Sequence, residues 1–313
     1  MRVGIIGAGK MGENHLRTYL SLTRECQLVG LYDVDKTRRE TMASTYHVQA
    51  FSSLDALLKE VDAVSITVPT IYHYDVALAC ISKGVHMLIE KPIASTVDEA
   101  TDLKERAERA NVQIQIGHIE LFNPLMKALQ HVLKNERIIA IETHRMSAFS
   151  NRLEGVDVVQ DLMLHDLYIV GTLLNHEPFK DIYTIGHLSK QMPIHAVAIG
   201  KTASGVAIQL TASYQSNKNV RSIHLLTEKT YMVANLLTNE LAITRPSDSA
   251  DLFPRSITET IQAPSFQKPL SLELQAFLSS IKEKTTPYVT ANDGIKALAL
   301  ANQISHAICL KNK

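Results

Sequence analysis

The first third of the chain alternates short apolar runs with amphipathic segments. The apolar runs predict strands at residues 2–6, 27–32, 63–67, 87–90 and 113–117. Between them, apolar residues recur at helical spacing, for example over 11–22, 36–46 and 97–110. This alternation predicts βαβ units around a parallel sheet, and continuous apolar strands suit a sheet that is covered on both faces. We therefore predict an α/β Rossmann domain at the N-terminus.

The pattern changes after Gly117. It predicts a helix at 125–133, a strand at 138–146, a helix at 159–174, consecutive strands over 181–244, and helices at 271–283 and 293–310. Hairpin signals stand at Ser204-Gly205 and Thr238-Asn239. We predict an α+β domain with a large mixed or antiparallel sheet, and helices on one face. The predicted domains are 1–118 and 119–313, with the C-terminal helix a candidate to pack back on the first domain.

Length and charge narrow the class of protein. The 313 residues suit two domains, and 32 basic residues balance 32 acidic ones, so no field of one sign attracts nucleic acid or an anionic membrane. Cys26, Cys80 and Cys309 lie far apart, which favours free thiols in a reducing compartment. The chain opens on a strand pattern and has no apolar run of about 20 residues. We expect a cytoplasmic protein without a signal peptide and, from the scattered histidines, without a metal site.

A glycine-rich loop follows the first predicted strand and opens the first predicted helix: Gly7-Ala8-Gly9-Lys10-Met11-Gly12. Gly7 permits a tight turn, Gly9 lets the backbone approach a pyrophosphate, and Gly12 allows close packing of helix on strand. The helix N-terminus, at Lys10 and Met11, offers unpaired N–H groups to phosphates. A glycine turn without a ligand is the alternative, but the strand before it and the helix after it favour a dinucleotide site.

An acid, Asp33, ends the second predicted strand about 20 residues after Gly12. A carboxylate at this point accepts hydrogen bonds from the ribose hydroxyls of NAD and repels the 2′-phosphate of NADP. Arg38 and Arg39 follow closely, and a nearby arginine can accommodate that phosphate. NAD is the predicted cofactor, with Arg38 beside it, and NADP stays open.

Further motifs occur in order along most of the chain. His15 extends the glycine loop to GxGxxGxxH, and the others are Val68-Pro69-Thr70 with His73, Glu90-Lys91-Pro92, and Asp161-Leu162-Met163-Leu164-His165-Asp166. As a set they resemble the glucose–fructose oxidoreductase/inositol dehydrogenase/rhizopine catabolism (Gfo/Idh/MocA) family. The segments 117–124 and 156–166 further resemble a subgroup that includes UDP-N-acetylglucosamine 3-dehydrogenases, which oxidise a sugar hydroxyl to a ketone.

The resemblance implies roles for single residues. Lys91, Asp161 and His165 are the implied catalytic residues. It also implies that four further residues contact the cofactor, namely Pro69, His73, Glu90 and Lys91. The implied reaction is hydride transfer from a sugar or sugar nucleotide to NAD.

The residues themselves support that chemistry. Asp161 and His165 are spaced i, i+4, so on an α-helix they share a face, where a carboxylate orients an imidazole that accepts a hydroxyl proton. Lys91 ends a strand and can stabilise charge on the reacting oxygen. An ordinary helix terminus and a surface lysine are the alternatives. Asp166 points about 100° away from His165 around the helix, which favours a supporting or capping role.

Four residues are candidates for the substrate side: His118, Asn123, Arg145 and Arg152. His118 lies at the predicted domain junction with Glu120, where interdomain hydrogen bonding is an equal alternative. Asn123 belongs to the segment that resembles the subgroup. Arg145 and Arg152 follow the first strand of the second domain. They could bind a diphosphate through bidentate hydrogen bonds, and an ordinary role as solvated surface charges is an equal alternative.

Two other functions stay open at this point. One is reduction of a non-sugar ketone, enone or imine with NADPH, and the other is a nucleotide sensor without catalysis, against which Lys91, Asp161 and His165 argue. Strands such as VAIQLTASY carry apolar groups on both faces. We therefore expect a homodimer or homotetramer that assembles through the second sheet.

Overall fold

A computed structural model describes residues 1–148, 156–247, 256–264 and 268–311. Contacts divide the chain into two compact units. Unit 1 comprises Met1–Phe122 and Lys268–Leu298, and unit 2 comprises Asn123–Gln267 and Ala299–Lys313.

Unit 1 contains a parallel sheet of six strands in the order β3-β2-β1-β4-β5-β6. Its strands are β1 Arg2–Ile6, β2 Gln27–Tyr32, β3 Gln49–Ala50, β4 Ala63–Ile66, β5 His86–Glu90 and β6 Ile114–Gly117. The order reverses between β1 and β4, the point at which open α/β sheets bind ligands beyond the carboxyl ends of their strands. The predicted Rossmann domain is confirmed.

The helices of unit 1 follow the sequence pattern closely. They are α1 Lys10–Ser21, α2 Lys36–Tyr46, α3 Leu54–Leu58, α4 His73–Ser82, α5 Val97–Arg109, α8 Pro269–Glu283 and the first part of α9 Ala291–Lys311. Local chemistry sets their ends: Thr96 and Glu99 form a capping box that starts α5.

The segment Lys268–Leu298 belongs to unit 1. The sequence pattern placed 119–313 in the second domain, with only the C-terminal helix a candidate to pack back on the first. Helix α8 buries Leu274, Phe277 and Leu278 in the core that α1 lines with Leu16 and Tyr19. Because burial of apolar surface drives packing, this stripe assigns α8 to the first core despite its late place in the sequence.

Unit 2 contains a mixed sheet of eight strands in the order β14-β13-β12-β11-β7-β10-β9-β8. The strands are β7 Ile138–Ala148, β8 Phe179–Ser189, β9 Met192–Thr202, β10 Ala207–Ser213, β11 Gln215–Thr227, β12 Tyr231–Asn235, β13 Glu240–Pro246 and β14 Ser256–Gln262. β7 and β10 pair in parallel, and the other pairs are antiparallel. Gly205 and Asn239, both with positive φ, lie in hairpin turns where the sequence predicted them.

One expectation about this sheet is wrong. Strand β10 does not carry apolar side chains on both faces: Ile208, Leu210 and Ala212 are buried on one face, and the alternate positions are polar except for Ala207. Side-chain polarity in this strand alternates with a period of two, although Thr211 and Ser213 on the polar face are buried as well.

The helices of unit 2 include α6 Pro124–Leu133, α7 Leu164–Leu173 and the end of α9. The segment predicted as one α-helix over 159–174 begins instead with a π-helical turn, Val159–Met163, and becomes α-helical at Leu164. Such wide turns occur frequently at functional sites. Here the turn carries Asp161, and α7 carries His165.

Candidate active site

The glycine loop joins β1 to α1 as a tight turn. Gly7 has a φ of +100°, and its N–H donates to the Tyr32 carbonyl at 2.8 Å. A Cβ on Gly12 would lie 1.9 Å from the Gly7 carbonyl oxygen, so this position excludes any side chain. The two glycines therefore let α1 begin directly against the end of β1.

The start of α1 fits the pyrophosphate of a dinucleotide. A Cβ on Gly9 would meet no atom within 4 Å, so its side of the loop is open. Helix α1 begins at Lys10, and no side-chain hydrogen bond from its N-cap residue Gly9 caps it. The first N–H groups of a helix have no partner inside it, so those of Lys10 and Met11 can donate to phosphate oxygens.

Asp33 is held in place by backbone donors. Its Oδ2 accepts from the Ala8 N–H at 2.6 Å, and its Oδ1 accepts from the Asp35 N–H at 2.8 Å. The carboxylate is nearly buried, with 8% of its residue surface exposed, and each oxygen keeps a lone pair for a ribose hydroxyl. Arg39 donates to the Asp33 carbonyl at 2.8 Å, and Arg38 is paired with Asp35 at 3.7 Å.

The end of β5 forms a second group. Glu90 Oε1 lies 3.0 Å from Nε2 of the buried His15, and Lys91 follows at the start of the next turn. His73 begins α4, and its ring nitrogens lie 2.9 Å from the carbonyls of Pro92 and Val68. Burial lowers the pKa of His73, and a neutral ring donates from one nitrogen to one of these two carbonyls. Pro69 precedes a short 3₁₀ turn in that loop.

In unit 2, Asp161 and His165 lie on consecutive turns. The Tyr214 hydroxyl donates to Asp161 Oδ2 at 3.0 Å, and Tyr214 is almost wholly buried at the end of β10. Burial and the neighbouring Asp161 raise the pKa of Tyr214, so its O–H keeps the proton that it donates. Tyr214 thus holds one oxygen of Asp161, the residue whose carboxylate is predicted to orient His165.

Arg145 occupies a different position from the one that the sequence suggested. Its side chain is only 3% exposed, its Nε donates to Asp166 Oδ1 at 3.0 Å, and its Nη2 lies 2.9 Å from the same oxygen. It shares the covered face of β7 with Ile141 and Thr143. The ion pair links β7 to α7 in the covered part of unit 2. Contact of Arg145 with a substrate, and the supporting role expected for Asp166, stay predictions.

The other substrate candidates are also buried. His118 is fully buried just after β6, and Glu120 follows in the turn Ile119–Phe122. Asn123 caps α6 by accepting from the Leu125 N–H at 2.9 Å, and it donates to Asn239 Oδ1 at 3.0 Å. Arg152 lies outside the described residues.

Sequence reasoning missed several buried polar groups. Ser65 Oγ lies 3.0 Å from both His15 Nδ1 and the Tyr19 hydroxyl, and Glu273 is fully buried on α8. Two signals were present. His15 and Tyr19 are spaced i, i+4 on α1, and Glu273 stands alone in the apolar stripe of α8. Tyr214 carried no such signal, because its link to Asp161 depends on tertiary structure.

The part of the chain that the structure describes contains no cluster of three or more His, Cys, Asp or Glu side chains that could hold a metal. Of its helices, none has both the length and the apolar character needed to span a bilayer.

The fold and the glycine loop with its acid define a dinucleotide-binding oxidoreductase of the Rossmann class. The model of the oxidoreductase family with an NAD-binding Rossmann fold, GFO_IDH_MocA, matches residues 1–118. A UDP-N-acetylglucosamine 3-dehydrogenase of Acidithiobacillus ferrooxidans is 30% identical, over 98% of this chain and 97% of the relative. The chain therefore belongs to the Gfo/Idh/MocA family of oxidoreductases, and its cofactor is NAD.

Solved structures agree. The structure of UDP-N-acetylglucosamine 3-dehydrogenase GnnA from Acidithiobacillus ferrooxidans superposes with a TM-score of 0.93 at 29% identity, covering 99% of this chain and 98% of that one. Levoglucosan dehydrogenase in complex with NADH and levoglucosan superposes with a TM-score of 0.88 at 16% identity, over 99% and 97% of the two chains. The second likeness shows the shared fold.

Proposed function

We propose that this protein is an NAD-dependent dehydrogenase that oxidises the 3-hydroxyl of the sugar in UDP-N-acetylglucosamine or a closely similar sugar nucleotide. The observation that carries the proposal is the 30% identity, over nearly the whole of both chains, to an enzyme of that name. The candidate residues Lys91, Asp161 and His165 supply the groups that oxidation of an alcohol requires.

Each group has a separate task. His165 accepts the proton of the hydroxyl, and Asp161, fixed by Tyr214, orients the imidazole and stabilises its charged form. Lys91 donates a hydrogen bond to the reacting oxygen and stabilises its developing negative charge. Bound NAD supplies the hydride acceptor. The glycine loop binds the pyrophosphate of NAD through Gly7, Gly9, Lys10, Met11 and Gly12. Asp33 binds the ribose.

The surroundings of Asp33 favour NAD over NADP. Arg39 donates to the Asp33 carbonyl, and Arg38 is paired with Asp35, so both guanidiniums already have partners within the protein. Titration with NADH and NADPH tests this preference. Tighter binding of NADPH would favour the alternative function, a reductase that uses NADPH.

The role assignment is tested with three variants, Lys91→Met, His165→Asn and Asp161→Asn. We expect each to bind NADH as the wild type does and to lose kcat by about 100-fold or more, since general acid–base groups typically contribute that much. The matched control is Lys83→Met, an exposed lysine at the end of α4 that should change neither property. Unchanged turnover in both Lys91→Met and His165→Asn would refute the assignment.

The open face of the unit 2 sheet supports a homo-oligomer. Exposed apolar side chains stand there in cross-strand pairs, Tyr183 with Ile199 and Leu226 with Tyr231, and Ile185 lies beside them. The two pairs form separate patches, because β10 and β7 lie between them and present Gln209 and Glu142 on this face. Exposed apolar patches favour an interaction site. We expect a dimer or tetramer by light scattering and a weaker assembly in Ile185→Lys. Leu310→Lys, which changes an exposed leucine on α9, is the control, and a wild-type monomer would refute the proposal.

We also propose a reducing compartment such as the cytoplasm, because the three cysteines are free and two of them are buried.

A further inference from the structure

Glu273 is an acid in a place where an acid is costly. It lies on the buried stripe of α8 beside Leu274 and Phe277, and none of its surface is exposed. Within the described part of the chain, neither carboxyl oxygen has a hydrogen bond of ordinary geometry, although the backbone N–H of His118 is near enough to lower the pKa somewhat. A carboxylate without good partners is strongly disfavoured in such surroundings.

A chain of hydrogen bonds runs from α1 to Glu90. Tyr19, Ser65, His15 and Glu90 are linked in that order by three contacts of 3.0 Å each. A carboxylate only accepts, so His15 donates from Nε2 to Glu90. On its other side, the His15 ring bonds Ser65, which also bonds the Tyr19 hydroxyl. The chain thus delivers a donor to Glu90 and fixes its orientation.

The same carboxylate faces the backbone from which Lys91 extends. Glu90 Oε2 accepts from the Lys91 N–H at 3.3 Å. On the neighbouring strand, a Cβ at Gly117 would lie 3.1 Å from Glu90 Cδ and Oε1, so only glycine leaves full room for this side chain. The position of Glu90 and the start of the Lys91 side chain are therefore set together.

Glu273 and Glu90 interact as like charges. Burial first, and the charge of Glu90 second, raise the pKa of Glu273 well above its usual range. Other groups near Glu273 are Tyr19 on α1, which is affected by its charge, and Gln115 on β6, which donates to its backbone carbonyl at 3.2 Å. Two ionised carboxylates do not coexist in such a site, so Glu273 keeps its proton and the cluster carries one negative charge.

We propose that Glu273 is a positioning residue for Lys91: it acts on its neighbour Glu90, whose carboxylate contacts His15 and accepts from the Lys91 N–H, and so keeps the Lys91 segment in its working geometry. The inference rests on the role proposed above for Lys91. Ionisation of Glu273 at alkaline pH places a second negative charge beside Glu90. Repulsion then disturbs the link between His15 and Glu90, and the Lys91 segment moves with it.

The first test uses the protein without substrate. Lys91 is labelled with an amine-reactive reagent over a range of pH values, and the modified peptide is quantified by mass spectrometry. Infrared difference spectra follow the C=O band of a protonated carboxyl in the same range. In the wild type we expect a step in the pH dependence of Lys91 labelling where this band disappears. In Glu273→Gln both the band and the step should be absent.

Two further variants make the test specific. Glu90→Gln removes the neighbouring charge, so the carboxyl band of Glu273 should disappear at lower pH than in the wild type. Glu283→Gln changes an exposed acid on the same helix and should leave band and step unaltered. If Glu273→Gln folds as the wild type does and its labelling profile retains the step, the proposal is wrong.

Turnover of UDP-N-acetylglucosamine with NAD provides the second readout. Above the pH at which the band disappears, Glu273→Gln should have a kcat about tenfold or more above that of the wild type, and the two should be similar at neutral pH. Equal alkaline losses in both would overturn the proposal. If labelling shifts as expected but no sugar nucleotide is oxidised, the proposed function fails and the link from Glu273 to Lys91 stands.

Discussion

Each of the two units contains a pair of ionisable side chains of which at least one is buried, and the units limit the charge of these pairs in opposite ways. In unit 2, Arg145 and Asp166 are each about 3% exposed and meet at 2.9 Å, so each charge compensates the other. In unit 1, Glu90 and Glu273 carry the same sign, and Glu273 stays protonated instead. The charge of a carboxylate paired with an arginine does not change near neutral pH. A carboxyl group that keeps its proton in the folded state loses it as the pH rises, so its charge depends on pH. We therefore expect the Glu90–Glu273 pair to respond to pH more than the Arg145–Asp166 pair does.

The largest expected effect comes from breaking the counter-charge in unit 2. Arg145→Met leaves Asp166 buried without the guanidinium, and removal of one partner from a buried ion pair typically costs about 3–5 kcal/mol. Chemical denaturation measures this loss. The double variant Arg145→Met/Asp166→Leu should recover most of it, because no charge is then stranded. A single variant as stable as the wild type would show that the pair does not compensate as described.

A smaller effect should follow from removing a neutral donor in the same unit. Tyr214→Phe deletes the hydroxyl that donates to Asp161, and a hydrogen bond to a charged group is worth about 1.5–3 kcal/mol. The free energy of unfolding should fall by about this amount. The kcat should also fall, while the affinity for NADH should not change. Tyr231→Phe is the matched control, since its hydroxyl bonds His224 on the exposed face of the sheet. Equal behaviour of the two variants would contradict the account.

The third prediction concerns the held proton of unit 1. Because the folded-state pKa of Glu273 is raised, the folded protein keeps a proton that the unfolded chain releases above the ordinary pKa of glutamate. Stability should therefore fall with rising pH through this window, by about 1.4 kcal/mol per pH unit, until the folded-state pKa is passed. Denaturation at several pH values should show this slope in the wild type relative to Glu273→Gln.

Asp157 contributes a slope of the same sign, because burial also raises its pKa. The difference between the wild type and Glu273→Gln isolates Glu273, since Asp157 is present in both. Parallel stability curves for these two proteins would mean that Glu273 does not hold a proton.

The local parts of the site were predictable from sequence, and the assembled parts were not. The glycine loop and Asp33 could be identified because a tight turn, a helix start and a strand end impose residue types at short spacing. The cluster of Glu273 with Glu90 forms only when α8 returns to the first core. The π-helical turn at Asp161 is likewise set by tertiary packing, so the simple i, i+4 spacing of an α-helix described it incompletely.

Arg145 shows a signal that was present in the sequence and not used. In β7 it alternates in phase with Ile141 and Thr143, so the period of two places it on the covered face. Charge type suggested a phosphate ligand, while strand phase predicted a buried partner. Strand phase explains why Arg145 is buried and paired with Asp166, while contact with a phosphate stays a prediction.

The central claim, oxidation at the sugar 3-hydroxyl with NAD as acceptor, is tested most directly with UDP-N-acetylglucosamine that carries deuterium at carbon 3. The account predicts that the wild-type protein forms reduced cofactor, that the deuterium is found on its nicotinamide ring, and that Lys91→Met transfers it at least about 100-fold more slowly. Retention of the deuterium in the sugar, or no reduction of NAD with this substrate, would contradict it.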